Sequence, residues 1–390
     1  MDPDLSRLDA HLDDVDADGY LVHDDDSESN QLYLAGFGAP DPFTTLYTPD
    51  GIYLLVSGLE YGRAKSESRA DGVARLSDYD HRAKRQEYGQ HEGFCRTLAA
   101  FLEDHGVESA AVPSGFPVGI ADSVRDLGHS VLPETDGVIT AIRAVKTDEE
   151  VEHVRAAQKT NEAAMEAAES LIAAADVEDG TLVYEGDPLT SERVTEEIEV
   201  TLLRHGCALD ETIVACGASA ADPHDRGSGP LAAGETIVVD IFPRDKETKY
   251  HADMTRTFVK GEAGDEVWDY YETTLKAQEA AFDAIEPGAT GADVHDAVCD
   301  VYETAGYPTL RSDESTETGF IHGTGHGVGL DVHEQPAVHP DGEELEPGHV
   351  ITIEPGLYDP EVGGVRIEDI VVVTEDGYEN FTDYERELKL

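Results

Sequence analysis

LAAGETIVVD, residues 231–240, returns later in the chain as LEPGHVITIE, residues 345–354, and the two align without a gap: Leu231 with Leu345, Gly234 with Gly348, Ile237 with Ile351 and Asp240 with Glu354. Each copy reads as a glycine turn, a strand of β-branched residues and an acid. A second strand-like run with another acid follows each copy, Asp253 in YHADMTRTFV and Glu368 in GVRIEDIVVV. The pattern predicts two related halves, each opening with helix and closing in a hairpin that carries two carboxylates.

Asp240 stands among Ile237, Val238, Val239 and Ile241, and Glu354 beside Ile351, Ile353 and Pro355. Side chains alternate faces along a strand, so Arg366 shares a face with Glu368, and Asp253 with Thr255. In so acidic a chain such acids ordinarily sit at solvated strand ends. Four that converge in an apolar setting need compensating cations, because an unpaired buried carboxylate is costly. Two divalent ions would supply four positive charges against Asp240, Asp253, Glu354 and Glu368. Oxygen-dominated ligation favours Mn²⁺ or a similar hard-to-borderline ion over the thiolate sites of structural zinc, with Co²⁺ or Zn²⁺ as alternatives.

An imidazole for such a centre is available in FIHGTGHGVGLDVHE, residues 320–334, where His322, His326 and His333 stand among alternating glycines. The run is too glycine-rich for a helix, each interior Gly costing about 1 kcal/mol relative to Ala. A helical HExxH zinc site is excluded because Ala337 occupies the position of its second histidine. The glycine spacing also fails the dinucleotide fingerprint between a strand and a helix. A bare backbone brought close to something remains, with metal binding, catalysis and a plain loop all open on this segment alone.

At 390 residues the chain exceeds what one core serves, and two domains are expected. No apolar run approaches the roughly 20 residues of a membrane span. The N-terminal MDPDLSRLDAHLDDVDADG lacks the basic and apolar regions of a secretory signal, so a cytoplasmic protein is expected. Cys95, Cys207, Cys216 and Cys299 form no CxxC pair and read as buried thiols. The 84 acidic residues outnumber 27 basic ones, for a formal net charge of −57, which repels nucleic acid and anionic membranes. The acids are dispersed through periodic, apolar-bearing segments rather than blocked into tails, so the charge reads as a salt-adapted folded surface and not as disorder.

The first section alternates short apolar runs with turns: GYLVHD, QLYLAGF, then TTLYTPDGIYLLVSG, where Pro49-Asp50-Gly51 joins two strands. A helix around Glu92 to His105 and the strand-like SAAVPS follow, making a small α/β domain. Near residue 145 the texture becomes long and helical, and Thr147 with Glu150 forms a capping-box start. The expected domains are residues 1–145 and 146–390.

HGTGHGVGLDVHE, VVDIF, HADMTRTF, TIEPGLY and GVRIED, in this order, resemble the signature of the pita-bread metallopeptidases. The likeness is to their proline-directed branch, the Xaa-Pro dipeptidases (prolidases) and Xaa-Pro aminopeptidases (aminopeptidase P). It covers the whole chain, and YLAGF is similar to a segment of that branch's creatinase-like N-terminal domain. The implied fold is α/β (α+β), with that domain followed by a pseudo-two-fold pita-bread catalytic domain. The implied metal ligands are Asp240, Asp253, His326, Glu354 and Glu368, with Asp253 and Glu368 bridging two ions.

By the same resemblance His224 and His333 are active-site histidines that stabilise the tetrahedral intermediate, and Glu354 doubles as proton shuttle. His322 and Arg366 contact substrate. Short proline-containing peptides are the implied substrates, dipeptides ahead of longer ones, with a homodimer as the common assembly. The loop FPRDKETKYHA between Asp240 and Asp253 is longer than usual, and Phe242 stands where many relatives have glycine. Methionine aminopeptidases ordinarily lack the N-terminal domain, creatinase-type hydrolases dispense with the metal set, and a non-enzymatic binding relative would have lost ligands.

The charge carries its own expectation. At 0.01 M salt the screening length is about 30 Å, so carboxylate repulsion crosses the molecule, whereas at 1 M it is about 3 Å. Domains hold only about 5–15 kcal/mol of stability, which an excess of this size can exhaust. Circular dichroism should therefore show reversible loss of structure on dialysis from molar KCl to low salt, partly prevented by millimolar Mn²⁺. Equal folding in both conditions would contradict a salt-requiring surface.

Overall fold

The repeated motif is repeated in its physics as well as its letters. In the computed structural model, which describes residues 3–390, Gly234 and Gly348 both turn at positive φ, 83° and 95°, a conformation glycine adopts without penalty. Leu231 and Ile237 are buried in one core, and Leu345 and Ile351 in another. The sequence of residues Ala144–Leu390 thus folds twice in similar fashion.

In the first half the helices Asp148–Ala173 and Ser191–Arg204 lie over an antiparallel sheet of Thr212–Cys216, Ile237–Ile241 and Met254–Phe258. In the second, helices Asp265–Ala284 and Gly291–Ala305 pack on a five-stranded sheet. Its order is Glu334–Val338, Gly325–Gly327, Val350–Ile353, Asp369–Thr374 and Gly377–Asn380. The leading helix of the first half starts at the capping box of Thr147 and Glu150, and a second box, Thr290 with Asp293, opens the later helix of the second half. Each box satisfies donors that the first turn of a helix leaves free.

Residues 254–258 and 363–369 stitch the halves together. Thr257 Oγ1 donates to the Arg366 carbonyl and accepts from its N–H, and the Glu368 N–H donates to the Thr255 carbonyl. Arg256, 1% exposed, donates to the Thr255, Glu368, Tyr384 and Glu385 carbonyls and pairs with Asp369 at 2.8 Å. A planar guanidinium with five donors suits such a junction, where backbone carbonyls of several segments need partners at once.

The other unit ends at Arg143. It is a six-stranded mixed sheet in the order Gly72–Arg75, Gly51–Val56, Phe43–Thr48, Gly19–Asp24, Ser109–Pro113, Ser130–Glu134. The helix Gln90–Asp104 buries Cys95, Leu98, Phe101 and Leu102 against it. The Pro49-Asp50-Gly51 turn joins its two strands as expected. QLYLAGF differs from a strand-and-turn reading: its apolar part lies in the helix Ser29–Ala35, capped by the Glu28 side chain and ended by left-handed Gly36. The run is buried nearly all round, so its apolar residues show no periodicity to separate helix from strand. All four cysteines are free thiols. Among the described residues no helix is long and apolar enough to cross a membrane.

Candidate metal centre

Asp240 is the only one of the four repeat-related acids inside a strand. Asp253 stands just before Met254–Phe258, Glu354 just after Val350–Ile353, and Glu368 between Gly363–Arg366 and Asp369–Thr374. The acids therefore sit at or within one residue of strand ends, but at ends that meet at the seam rather than at solvent. Asp240, Asp253 and Glu368 are buried, and Glu354 is nearly so. Together with His326, His224, His322, His333 and Arg366 they line one cavity of about 710 Å³. All nine residues singled out in the sequence come together there.

The backbone that carries His326 runs between neighbours with almost no clearance. A Cβ on Gly325 would lie 1.9 Å from the Thr352 carbonyl oxygen, and one on Gly327 would lie 2.2 Å from that of Gln335. This is the physical need behind the alternating glycines. His326 Nδ1 lies 3.1 Å from the Gly327 carbonyl. Because a carbonyl can only accept, that nitrogen carries the proton and Nε2 keeps its lone pair. Nε2 faces Glu354 Oε1 at 3.3 Å and Asp253 Oδ2 at 3.7 Å. Burial lowers the pKa of the ring to about 3, so it is a neutral donor.

Asp253, His326 and Glu368 each offer one atom within 4.8 Å of the other two. Around them the carboxylates oppose one another's charge. Burial, then Glu368, Asp240 and Glu354, hold Asp253 well above the usual carboxylate range. Burial, then Glu354 and Asp240, do the same to Glu368. Glu354 is pushed up to about 8, mainly by burial. Among the described residues the one cation in the cluster is Arg366, and its Nη2 bonds Asp240 Oδ2 at 2.7 Å. Asp240 Oδ1 is left buried without a partner among the described residues. Four carboxylates, one guanidinium, an orphaned oxygen and an aimed imidazole lone pair are the donor chemistry that divalent cations complete.

Three groups to which the sequence assigned no role hold this arrangement. Thr255, paired with Asp240 across the sheet, donates to Glu368 Oε2 at 2.7 Å and accepts from Arg366 Nε at 3.1 Å. Thr352 accepts from the His326 N–H and reaches Glu354 Oε1 at 3.3 Å. Tyr358 connects His322 to Arg366. His322 Nδ1 donates to the Gly323 carbonyl at 2.6 Å, so Nε2 accepts from the Tyr358 hydroxyl at 2.9 Å, and that hydroxyl accepts from Arg366 Nη1 at 3.1 Å. Tyr358 lies in TIEPGLY, four residues beyond Glu354, and its hydroxyl between two predicted site residues is visible only in three dimensions. Arg366, expected to face substrate, is 4% exposed and bonds Asp240, Thr255, Tyr358 and the Pro223 carbonyl. His333 stacks edge-on at 4.2 Å from His326, and the exposed His224 lies on the loop that rims the cavity.

Residues 152–375 match the model of metallopeptidase family M24. The chain belongs to metallopeptidase family M24. Residues 5–145 match the creatinase/prolidase N-terminal domain, and the two matches together give the α/β pita-bread architecture with its N-terminal domain. The M24 chain is 30% identical to the Xaa-Pro dipeptidase of Pyrococcus horikoshii, over 92% of each chain. It is 31% identical to that of Pyrococcus furiosus, again over 92% of each. Its structure superposes on the crystal structure of the prolidase from Pyrococcus horikoshii with a TM-score of 0.80 and 27% identity, covering 98% of this chain and 99% of that one.

The tight packing around His326 makes a specific prediction for this M24 site. Gly325→Ala should cost about 1–3 kcal/mol by overpacking against Thr352 and should displace the imidazole from the carboxylates. Chemical denaturation, with Mn²⁺ titration calorimetry alongside, should find lower stability and weaker metal binding together. A variant with wild-type stability and affinity would contradict the close approach.

Proposed function

We propose that this M24 metallopeptidase is an Xaa-Pro dipeptidase, cleaving the bond before proline in dipeptides with two divalent ions, Mn²⁺ by preference. The observation that carries the reading is the buried seam of Asp240, Asp253, Glu354 and Glu368 with the His326 lone pair among them. Its company in the same chain is the M24 match and full-length likeness to Xaa-Pro dipeptidases.

In this reading Asp240, Asp253, His326, Glu354 and Glu368 would hold the ions. When bound, such a pair supplies an activated water and polarises the scissile carbonyl. Glu354 Oε1 receives the water's proton and passes it to the proline nitrogen as that bond breaks. Its place at the end of a strand, next to the cavity and steadied by Thr352, suits an acid that must reach two positions. His333 and His224 donate hydrogen bonds to the oxygen on which charge develops. His322, Tyr358 and Arg366 form a hydrogen-bonded wall that orients the substrate and keeps Asp240 in place. Water adds across the C–N bond, and the products are a free amino acid and proline.

The test is turnover of Leu-Pro and Ala-Pro by protein loaded with Mn²⁺ in molar KCl. Asp253→Asn and Glu368→Gln should lose nearly all activity and at least one ion. His333→Ala should keep its metals and lose mainly kcat, by about 10²–10³. Full turnover in either carboxamide variant would sink the ligand assignment. Loss of both ions from His333→Ala would sink the division between ligand and catalytic histidine.

A further inference from the structure

The strand that bears Asp240 and the one that follows Asp253 are joined by the long loop noted in the sequence, and that loop is well built. Arg244 and Asp245 pair with Cys207 and Ala208, and Arg244 also bridges to His251. Asp245 N–H donates to the Tyr250 carbonyl, and the Asp245 carboxylate accepts from Glu247 N and from Thr248 N and Oγ1. On this hairpin stand Arg244, Lys246 and Lys249. They line a second cavity of about 430 Å³ whose wall includes Glu211, Phe242 and Val332, which the main cavity also uses.

Three of the chain's 27 basic residues therefore gather within six positions beside the catalytic cavity of a molecule with net charge −57. None of the three forms an ion pair with a carboxylate among the described residues. Of the nearby acids, Glu211, on the wall, is engaged by Arg226, and the carboxylate of Asp245, on the hairpin, is turned into its own loop. Asp210 is exposed at the rim. The side chain of His251 adds a buried Nδ1 with no partner among the described residues. Several arginines elsewhere sit against acids, as at Arg63, Arg193 and Arg311; what sets Arg244, Lys246 and Lys249 apart is that three cations line one concave wall together, a local concentration of positive charge.

We infer that this second cavity is a subsite for an acidic side chain, and that the enzyme prefers Glu-Pro and Asp-Pro dipeptides. The inference rests on the dipeptidase reading. A dipeptide ending in proline has only one side chain free to extend: the proline ring is closed on its own nitrogen, and its carboxylate is held one carbon from the scissile bond. A group entering a neighbouring cavity is thus the side chain of the first residue. A carboxylate there would exchange water for charge-assisted hydrogen bonds from Lys246, Lys249 or Arg244. It would also meet a local field opposite to the one that the rest of the surface presents to an anion.

The experiment compares kcat/KM for Glu-Pro, Gln-Pro and Leu-Pro with Mn²⁺-loaded enzyme in molar KCl, where the screening length of about 3 Å leaves only direct contacts. Glu-Pro should exceed its isostere Gln-Pro by about tenfold. In the double variant Lys246→Gln/Lys249→Gln that ratio should fall to about one, in Lys246→Arg/Lys249→Arg it should persist, and Lys249→Glu should shift preference toward Lys-Pro. Because each readout is a ratio on one protein sample, partial misfolding does not alter it. Cleavage of Leu-Pro with equal rates for Glu-Pro and Gln-Pro would overturn this inference alone. So would a ratio that survives the double Gln change, or an acid effect confined to Ala-Pro-Glu over Ala-Pro-Gln. Failure to cleave any of the dipeptides by metal-loaded protein would overturn the dipeptidase reading, and the subsite with it.

Discussion

Four carboxylates meet at a buried seam with a single guanidinium among them, and the catalytic unit is organised around that imbalance. Burying one unpaired carboxylate is unfavourable by several kcal/mol, and neighbours of like charge add to it. Nothing in packing alone would select such a cluster. Its cost is offset only if cations occupy the space the acids surround, so the stability of the seam and the chemistry of the site are one question.

The duplication explains how a chain delivers four acids to one place. Each half ends a strand at a carboxylate, after a glycine turn at positive φ that launches the strand from the same kind of core. Two such halves facing each other supply two acids apiece. Hydrogen bonds from Thr255, Arg256 and Thr257 to the Arg366–Glu368 segment hold the halves in register. Arg256 is the cation of the fold, engaged with carbonyls and Asp369, whereas Arg366 is the cation of the site. The two arginines differ in role through what each can reach.

Much of this was legible beforehand, for identifiable reasons. The aligned pair of motifs exposes the duplication because turn glycine, apolar strand and acid each have a local physical signature. The histidine-glycine run is readable as a close backbone approach, and Gly325 and Gly327 are indeed walled by carbonyls. The helix Ser29–Ala35 was not legible, since a short run buried on every side has no period. Nor were Tyr358, Thr255 and Thr352, whose hydroxyls matter through partners distant in sequence. The surroundings of Arg366 show the same limit: its position could be picked out, but its bonds to Asp240, Thr255 and Tyr358 depend on tertiary geometry.

The buried Lys146–Glu334 pair extends the same principle, since Glu334 directly follows His333 and its side chain fills the space beside Gly329. Glu334 and Asp369 are thus each matched to a cation, and buried Glu150 to the hydroxyls of Tyr250 and Thr147, whereas among the described residues the four seam acids have Arg366 alone. The most direct test of the account is therefore the number of divalent ions bound there. Protein stripped with chelator, equilibrated with Mn²⁺ in molar KCl and desalted should contain two equivalents per chain by plasma mass spectrometry, with a raised unfolding midpoint relative to the stripped form. Fewer than one equivalent, with no change in stability, would contradict the claim that the carboxylate seam exists to hold metal.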